Sequence, residues 1–199
     1  MPPQPLTALT SRQLAERYAP LGMTPRLARK LQASALRHGL WPDDDTTLSP
    51  RWLAAVREVL ALPQLTLTDR RVSAADGFTK YLFAAPDGTP VETVLIPLTH
   101  RPADPKAVVC VSSQSGCPMG CAFCATGRLG LARDLETWEI VAQVAQVRRD
   151  TPLPVRGVVF MGMGEPLLNY DAVVQAAAIL SEPSGLAISA KAITLSTVG

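Results

Sequence analysis

The four cysteines of this 199-residue chain all lie in one run, CVSSQSGCPMGCAFCATG, residues 110 to 127. Cys117, Cys121 and Cys124 are spaced C-x3-C-x2-C, and Cys110 lies seven residues before the first of them. A structural zinc site commonly uses four ligands in two pairs. Three thiolates from one loop instead suit a cubane iron-sulfur cluster with one open iron, where a small chelating substrate can bind. The spacing therefore favours a cluster over zinc, with unused thiols as a third alternative.

Two groups of residues, each following a strand later in the chain, could contribute to such a site. Gly164 and Glu165 follow the apolar strand VRGVVFM, and Ser196 ends the strand AITLST. Ligands of parallel α/β folds bind at the carboxyl ends of strands, and glycines allow the backbone to approach a ligand closely. A glycine turn with a solvated acid, and a serine that only forms a turn, remain the alternatives.

Glu92 lies in the alternating run VETVLI and shares a face with Val94 and Ile96. A carboxylate between apolar neighbours is poorly solvated, which makes it a plausible proton acceptor. The alternative is a glutamate on an edge strand that points to water. Cys110, on the strand before the cysteine loop, is a candidate core thiol.

The elements around these residues change in character along the chain. Three short helices are predicted up to residue 62: Ser11 to Tyr18, Thr24-Pro25 to His38, and Ser49-Pro50 to Ala61. A hairpin with the turn Pro86-Asp87-Gly88 follows, and strands then alternate with helices from about Ala107, which indicates a parallel sheet. We predict an α/β fold with a helical domain at 1–62, a β-hairpin connector at 63–106 and a further α/β domain at 107–199.

Four runs occur in the order in which they occur in a known family: VETVLIP, CVSSQSGCPMGCAFCATG, GMGEPLLNY and ITLST. With Phe123 directly before the third cysteine, the chain resembles the radical S-adenosylmethionine (SAM) enzymes, and within them the RlmN/Cfr-type RNA adenosine methyltransferases. The resemblance covers about residues 77 to 199, and it implies that 107–199 is the first part of a partial radical SAM barrel. The pattern is altered at Ser115, Pro118, Met119, Gly120 and Val198. These changes spare the cysteines and leave open a paralogue with another substrate.

The resemblance implies that Cys117, Cys121 and Cys124 hold a [4Fe-4S] cluster whose open iron binds SAM, and that reductive cleavage of SAM gives a 5′-deoxyadenosyl radical. It also implies that Phe123, Gly164, Glu165 and Ser196 belong to the SAM site, that Glu92 is the general base, and that Cys110 helps to resolve a protein-RNA crosslink.

The activity implied is methylation of an adenine, at carbon 2, in large-subunit ribosomal RNA and in some members transfer RNA. Two SAM molecules are used, and the first methylates a downstream cysteine. No cysteine follows Cys124, and Gly199 follows an apolar strand directly. We therefore expect a longer natural protein in which the methyl-carrying cysteine lies beyond Gly199.

The basic residues before residue 43 suggest a polyanionic partner, although the net charge is only +2. One acidic residue, Glu16, lies there, together with six basic residues: Arg12, Arg17, Arg26, Arg29, Lys30 and Arg37. RNA contacts are expected from Arg29, Lys30, Arg37, His38 and Trp41. A solvated basic helix face, with Trp41 in the core, is the alternative.

Other partners and the location follow from the same features. We expect an electron donor such as a flavodoxin-type reductant, a monomer, and no membrane span, since no apolar stretch approaches ~20 residues. The amino terminus lacks a secretory signal, which predicts the cytoplasm. A radical SAM enzyme of the same fold with a different substrate, or a zinc-binding module without activity, remain the alternative functions.

Overall fold

The computed structural model describes residues 2–98 and 105–198. The described residues form five α-helices: α1 Ser11–Arg17, α2 Pro25–His38, α3 Pro50–Arg57, α4 Thr137–Asp150 and α5 Tyr170–Ser181. They also form ten strands: β1 Gln4–Pro5, β2 Leu60–Ala61, β3 Thr66–Val72, β4 Thr79–Ala84, β5 Pro90–Leu98, β6 Lys106–Cys110, β7 Gln114–Gly116, β8 Leu131–Asp134, β9 Val155–Phe160 and β10 Ile193–Leu195.

The amino-terminal helices begin where hydroxyl side chains cap them. Thr10, Thr24 and Ser49 each accept a hydrogen bond from a backbone N–H in the first turn of α1, α2 and α3. Gly39, with φ of 70°, ends α2. The prediction that the third helix runs to Ala61 is wrong, because α3 ends at Arg57 and β2 pairs with β1 instead.

One six-stranded sheet carries the candidate site, in the order β10-β9-β6-β5-β4-β3. Strands β10, β9 and β6 are parallel, whereas β5, β4 and β3 are antiparallel to their neighbours. The predicted hairpin is present as β4 and β5, and it continues the same sheet as the parallel strands. The α/β fold class is therefore confirmed.

Two hydrophobic cores divide the described residues. The helical core contains α1 to α3, and the larger core packs α4 and α5 against one face of the sheet. On β5, Val91, Thr93 and Leu95 are buried on that face. Glu92 lies with its alternate neighbours on the opposite face, where it is half-buried. Within the part of the chain that the structure describes, no helix has the length and hydropathy needed to span a bilayer.

Candidate active site

The carboxyl ends of the three parallel strands lie side by side at one edge of the sheet. Residues 111–114 follow β6 and lead to the cysteine loop (residues 117–130), the GMGE turn (residues 162–165) follows β9, and Ser196 follows β10. The backbone N–H of exposed Ser196 donates to the carbonyl of Phe160, at 3.4 Å, beside the start of the GMGE turn. The fold thus places the predicted cysteine, glycine and serine groups at one edge.

A short antiparallel ribbon, β7 with β8, closes the base of the cysteine loop. The Cys117 N–H donates to the carbonyl of Gly130, at 2.9 Å. Gly116 has φ of +79°, and a Cβ there would lie 1.9 Å from the Gly130 carbonyl oxygen. Only glycine allows the two strands to approach this closely.

The three loop thiols are free and differ in surroundings. Cys117 is buried, whereas Cys121 and Cys124 are half-buried. Hydrogen bonds from the backbone of Gly127, and then from Thr126, lower the pKa of the Cys124 thiol. The Phe123 ring, on the same loop, is 91% exposed.

The chemistry of this donor set fits an iron-sulfur cluster, because three free thiols on one loop are soft ligands and one of them has a lowered pKa. Among residues 2–98 and 105–198, no three side chains of Cys, His, Asp or Glu converge in a metal-binding group.

The GMGE turn packs against residues 111–114. A Cβ at Gly162 would lie 2.8 Å from Ser112 Oγ, and one at Gly164, which has φ of +102°, would lie 2.7 Å from Gln114 N. The Met163 carbonyl accepts from the Ser113 N–H at 2.9 Å. These glycines therefore allow a close approach between the segment before the cysteine loop and the turn that contains Gly164 and Glu165.

Glu165 is not a solvated acid, since it is only 5% exposed. Its Oε1 accepts from the Leu167 N–H at 3.0 Å and its Oε2 from the Val198 N–H at 3.1 Å. Burial alone would raise the pKa of this carboxyl, but the hydrogen bonds from Thr197, Leu167 and Val198 outweigh it, so the pKa is lowered. The carboxylate thus joins the GMGE turn to the residues after β10.

Glu92 lies on β5, which pairs with β4 on one side and β6 on the other, so it is not on an edge strand of the sheet. Its Oε2 is 2.5 Å from Lys80 Nζ, and its side chain is 34% exposed. Both residues line a cavity of about 250 Å³ together with Asp69, Arg71 and Leu82. Glu92 is therefore open to a ligand on the sheet face that α4 does not cover.

Cys110 lies beside Glu92 on the neighbouring strand, opposite Val94. Burial raises the pKa of the Cys110 thiol, and the negative charge of Glu92 raises it further. This thiol is thus set apart from the three loop cysteines by its position on β6, and its pKa shift is opposite in direction to that of Cys124.

Comparison with known proteins agrees with this arrangement. The model of the radical SAM superfamily matches residues 111–199. A probable RNA methyltransferase of Myxococcus xanthus (strain DK1622) is 46% identical over 198 residues, which are 98% of this chain and 54% of that protein. The crystal structure of a radical SAM methyltransferase from Sphaerobacter thermophilus matches with a TM-score of 0.82 and 38% identity, over 99% of this chain and 57% of that one.

Residues 111–199 are a radical SAM domain, and the chain is similar to proteins named RNA methyltransferase or RlmN. A dual-specificity RNA methyltransferase RlmN of Syntrophobacter fumaroxidans is 49% identical over 132 residues, which are 65% of this chain and 37% of that protein. The predicted resemblance is confirmed, and the superfamily implies SAM and an iron-sulfur cluster as cofactors. This radical SAM chain spans about half the length of the curated relatives that it matches.

The basic residues predicted to contact RNA fall into two groups in this radical SAM chain. Lys30 pairs with Asp45, at 2.7 Å, and Arg37 donates to the Gly185 carbonyl, at 3.0 Å. Trp41 is half-buried and packs against the helical core. Arg29 and His38 are exposed on α2. Lys30, Arg37 and Trp41 thus each make a contact within the chain, although Arg37 is exposed as well.

Lys80, the ion-pair partner of Glu92, is a residue of this site that sequence reasoning did not identify. In the hairpin, Leu82 pairs with Glu92 and Lys80 with Val94, so Lys80 and Glu92 are diagonal neighbours on one face. The turn Pro86-Asp87-Gly88 predicted the hairpin, and pairing outward from that turn would have placed Lys80 near Glu92.

Proposed function

We propose that this chain provides the cluster-binding and SAM-binding part of an enzyme that methylates an adenine in RNA by radical chemistry. The proposed target is carbon 2 of an adenine in large-subunit ribosomal RNA, with transfer RNA as a second substrate, and two SAM molecules are used in each cycle. The observation that carries the proposal is the placement of three free thiols, the GMGE turn and Ser196 at one edge of the sheet. The names of the relatives support RNA as the substrate class.

In this proposal Cys117, Cys121 and Cys124 hold a [4Fe-4S] cluster. The bound cluster supplies one-electron reduction of SAM. Gly164, Glu165 and Ser196 contact SAM, since the GMGE turn and Ser196 adjoin each other at the carboxyl ends of β9 and β10. Phe123, whose ring is exposed on the same loop, would contact the bound cofactor.

Glu92 is the proposed proton acceptor. Its carboxylate lies in the cavity between β3, β4 and β5, and Lys80 holds one of its oxygens. The adenine ring carbon that gains the new carbon–carbon bond still carries its hydrogen, which must leave as a proton before aromaticity can return. Glu92 takes that proton on a carboxylate oxygen, which is a general-base role.

RNA affinity is proposed to come from the exposed basic residues of α2, where Arg26 and Arg29 lie one turn apart. Phosphate contacts of this kind add affinity without sequence specificity. We further propose a low-potential electron donor such as a flavodoxin-type reductant, a monomer, and action in the cytoplasm, where the RNA substrates are.

The test is to replace each cysteine by alanine and to count iron and sulfide after anaerobic reconstitution. Loss of the cluster is expected for Cys117→Ala, Cys121→Ala and Cys124→Ala. Cys110→Ala is the control, because this thiol lies outside the loop, and it should keep the cluster. The ligand assignment is wrong if the Cys110 variant loses the cluster while any loop variant keeps it.

A further inference from the structure

Ser112 lies in the cysteine run, between Cys110 and Cys117, and has no assigned role. Its side chain is completely buried. The Ser112 hydroxyl donates to the backbone carbonyl of Glu92, at 2.6 Å, and accepts from the backbone N–H of Met163, at 3.0 Å. One oxygen atom therefore joins the strand of the proposed base to the GMGE turn.

The backbone of Ser112 is held as firmly as its hydroxyl. Gln143 on α4 accepts from the Ser112 N–H at 2.8 Å and donates to the Ser112 carbonyl at 3.0 Å. Thr93 Oγ1, on β5, donates to the same Gln143 oxygen at 2.9 Å. A buried polar network with its partners in place makes local geometry rigid, so Ser112 has little freedom to shift.

Two neighbouring serines show that this bridge is specific to Ser112. Ser115 Oγ donates to the Pro90 carbonyl, at 2.9 Å, and so contacts β5 but not the GMGE turn. Ser113 Oγ is buried and has no hydrogen-bond partner among the described residues. The three serines of the run thus differ: Ser112 joins two segments, Ser115 binds β5 alone, and the Ser113 hydroxyl joins no described segment to another.

We propose that Ser112 is a positioning residue that couples the GMGE turn to the strand of Glu92. It keeps the turn in the place where SAM is proposed to bind and sets the distance from that turn to the Glu92 backbone. It does not touch the substrate or the cofactor. The inference rests on the proposed function, because it takes the GMGE turn as part of the SAM site.

The experiment compares three reconstituted variants with the unaltered chain: Ser112→Ala, Ser115→Ala and Ser113→Ala. The first measurement is the equilibrium affinity for SAM under anaerobic conditions, and the second is amide hydrogen exchange across residues 161–165. Loss of a bridging hydrogen bond should weaken SAM binding about fivefold to tenfold in Ser112→Ala. The same variant should exchange faster at Met163, whereas both controls should stay within about twofold in affinity.

Several outcomes would overturn the proposal. One is a Ser112→Ala variant with unaltered SAM affinity and unaltered exchange at Met163. Another is an equal loss of affinity in Ser115→Ala, which would show a general effect of a buried hydrogen bond to β5. Ser112→Thr keeps the hydroxyl and should bind SAM more tightly than Ser112→Ala, and the reverse order would also contradict the bridge.

Failure of the proposed function gives a different result. If the unaltered chain takes up iron but does not bind SAM, the GMGE turn is not a SAM site. Exchange at Met163 in Ser112→Ala would then still decide whether Ser112 holds the turn.

Discussion

The two carboxylates of the candidate site have opposite surroundings. Glu165 is buried, and backbone N–H groups from two different segments bind its oxygens. Glu92 is one-third exposed, faces a cavity and pairs with Lys80. The hydrogen bonds to both of its oxygens fix the orientation of the Glu165 carboxylate, whereas the Glu92 carboxylate is open to a cavity and can exchange a proton with a ligand.

The lowered pKa of Glu165 predicts a pH dependence of stability. A carboxyl group with a lowered folded-state pKa contributes stability above its unfolded pKa and loses it as the pH falls through the folded value. Glu165→Gln should therefore lower the free energy of unfolding by about 1–3 kcal/mol at pH 7. The difference from the unaltered chain should shrink toward pH 3, as measured by urea denaturation at both pH values. A difference that stays constant with pH would contradict an ionised Glu165.

At the scale of single residues, the sequence predicted which residues meet at the edge but not what they contact. Strand alternation placed Glu92 on the face opposite Val91, Thr93 and Leu95, and the structure confirms this. The ion pair with Lys80 was not predicted, because it depends on the register of the hairpin. The burial of Glu165 was not predicted either, because it depends on residues 33 positions later in the chain.

Among the elements, the β7–β8 ribbon joins the two ends of the cysteine loop. Arg133 on β8 donates to Glu139 at the start of α4, at 2.8 Å, and to Asp87 in the β4–β5 turn, at 2.8 Å. Hydrogen bonding to Glu139, which is 2% exposed, raises the pKa of Arg133, so the guanidinium stays charged. The ribbon is thus fixed to both the helix layer and the sheet, although its strands are too short to be predicted from alternation.

The close approach at the base of the ribbon makes Gly116 a test of that element. Gly116→Ala should lower the free energy of unfolding by more than about 3 kcal/mol, because the added Cβ meets the Gly130 carbonyl. Cluster loading should fall with it, as measured by iron per chain. Gly120→Ala is the matched control: φ is also positive there, but the Cβ would meet nothing within 4 Å. The control should lower the free energy of unfolding by about 1–2 kcal/mol. An equal loss of stability in both variants would contradict the close approach.

Helix α2 supplies a second prediction at this scale. Charge reversal of Arg26 and Arg29 to Glu should flatten the salt dependence of RNA binding, by about 0.7 in the log-log slope for each phosphate that the variant no longer neutralises. The measurement is titration of an RNA fragment at several salt concentrations. Arg12→Glu is the control, because Arg12 is exposed on α1 but already pairs with Glu16, at 2.7 Å. An unchanged slope in the double variant would mean that Arg26 and Arg29 face solvent and do not contact RNA phosphates.

In the whole molecule, the helical part is fixed to the turn after α5, which is remote from it in sequence. The Ser11 N–H and hydroxyl donate to Glu182 after α5, and Arg37 donates to the Gly185 carbonyl in the same turn. The sequence predicted a helical segment, a hairpin and an α/β segment, because capping residues and alternation are local signals. It did not predict this contact, which joins residues about 150 positions apart.

The products formed from SAM by the reconstituted and reduced chain decide whether the carboxyl ends of β6, β9 and β10 form a radical SAM site. We expect 5′-deoxyadenosine from the unaltered chain and from Cys110→Ala, and none from the three loop cysteine variants. Methyl-labelled SAM and an unmodified ribosomal RNA fragment in the same reaction should leave the adenine of the RNA unlabelled, since no cysteine follows Cys124 to carry the methyl group. An iron-loaded chain that forms no 5′-deoxyadenosine would contradict a radical SAM site at this edge, and label on the base would contradict the cysteine-carried methyl transfer.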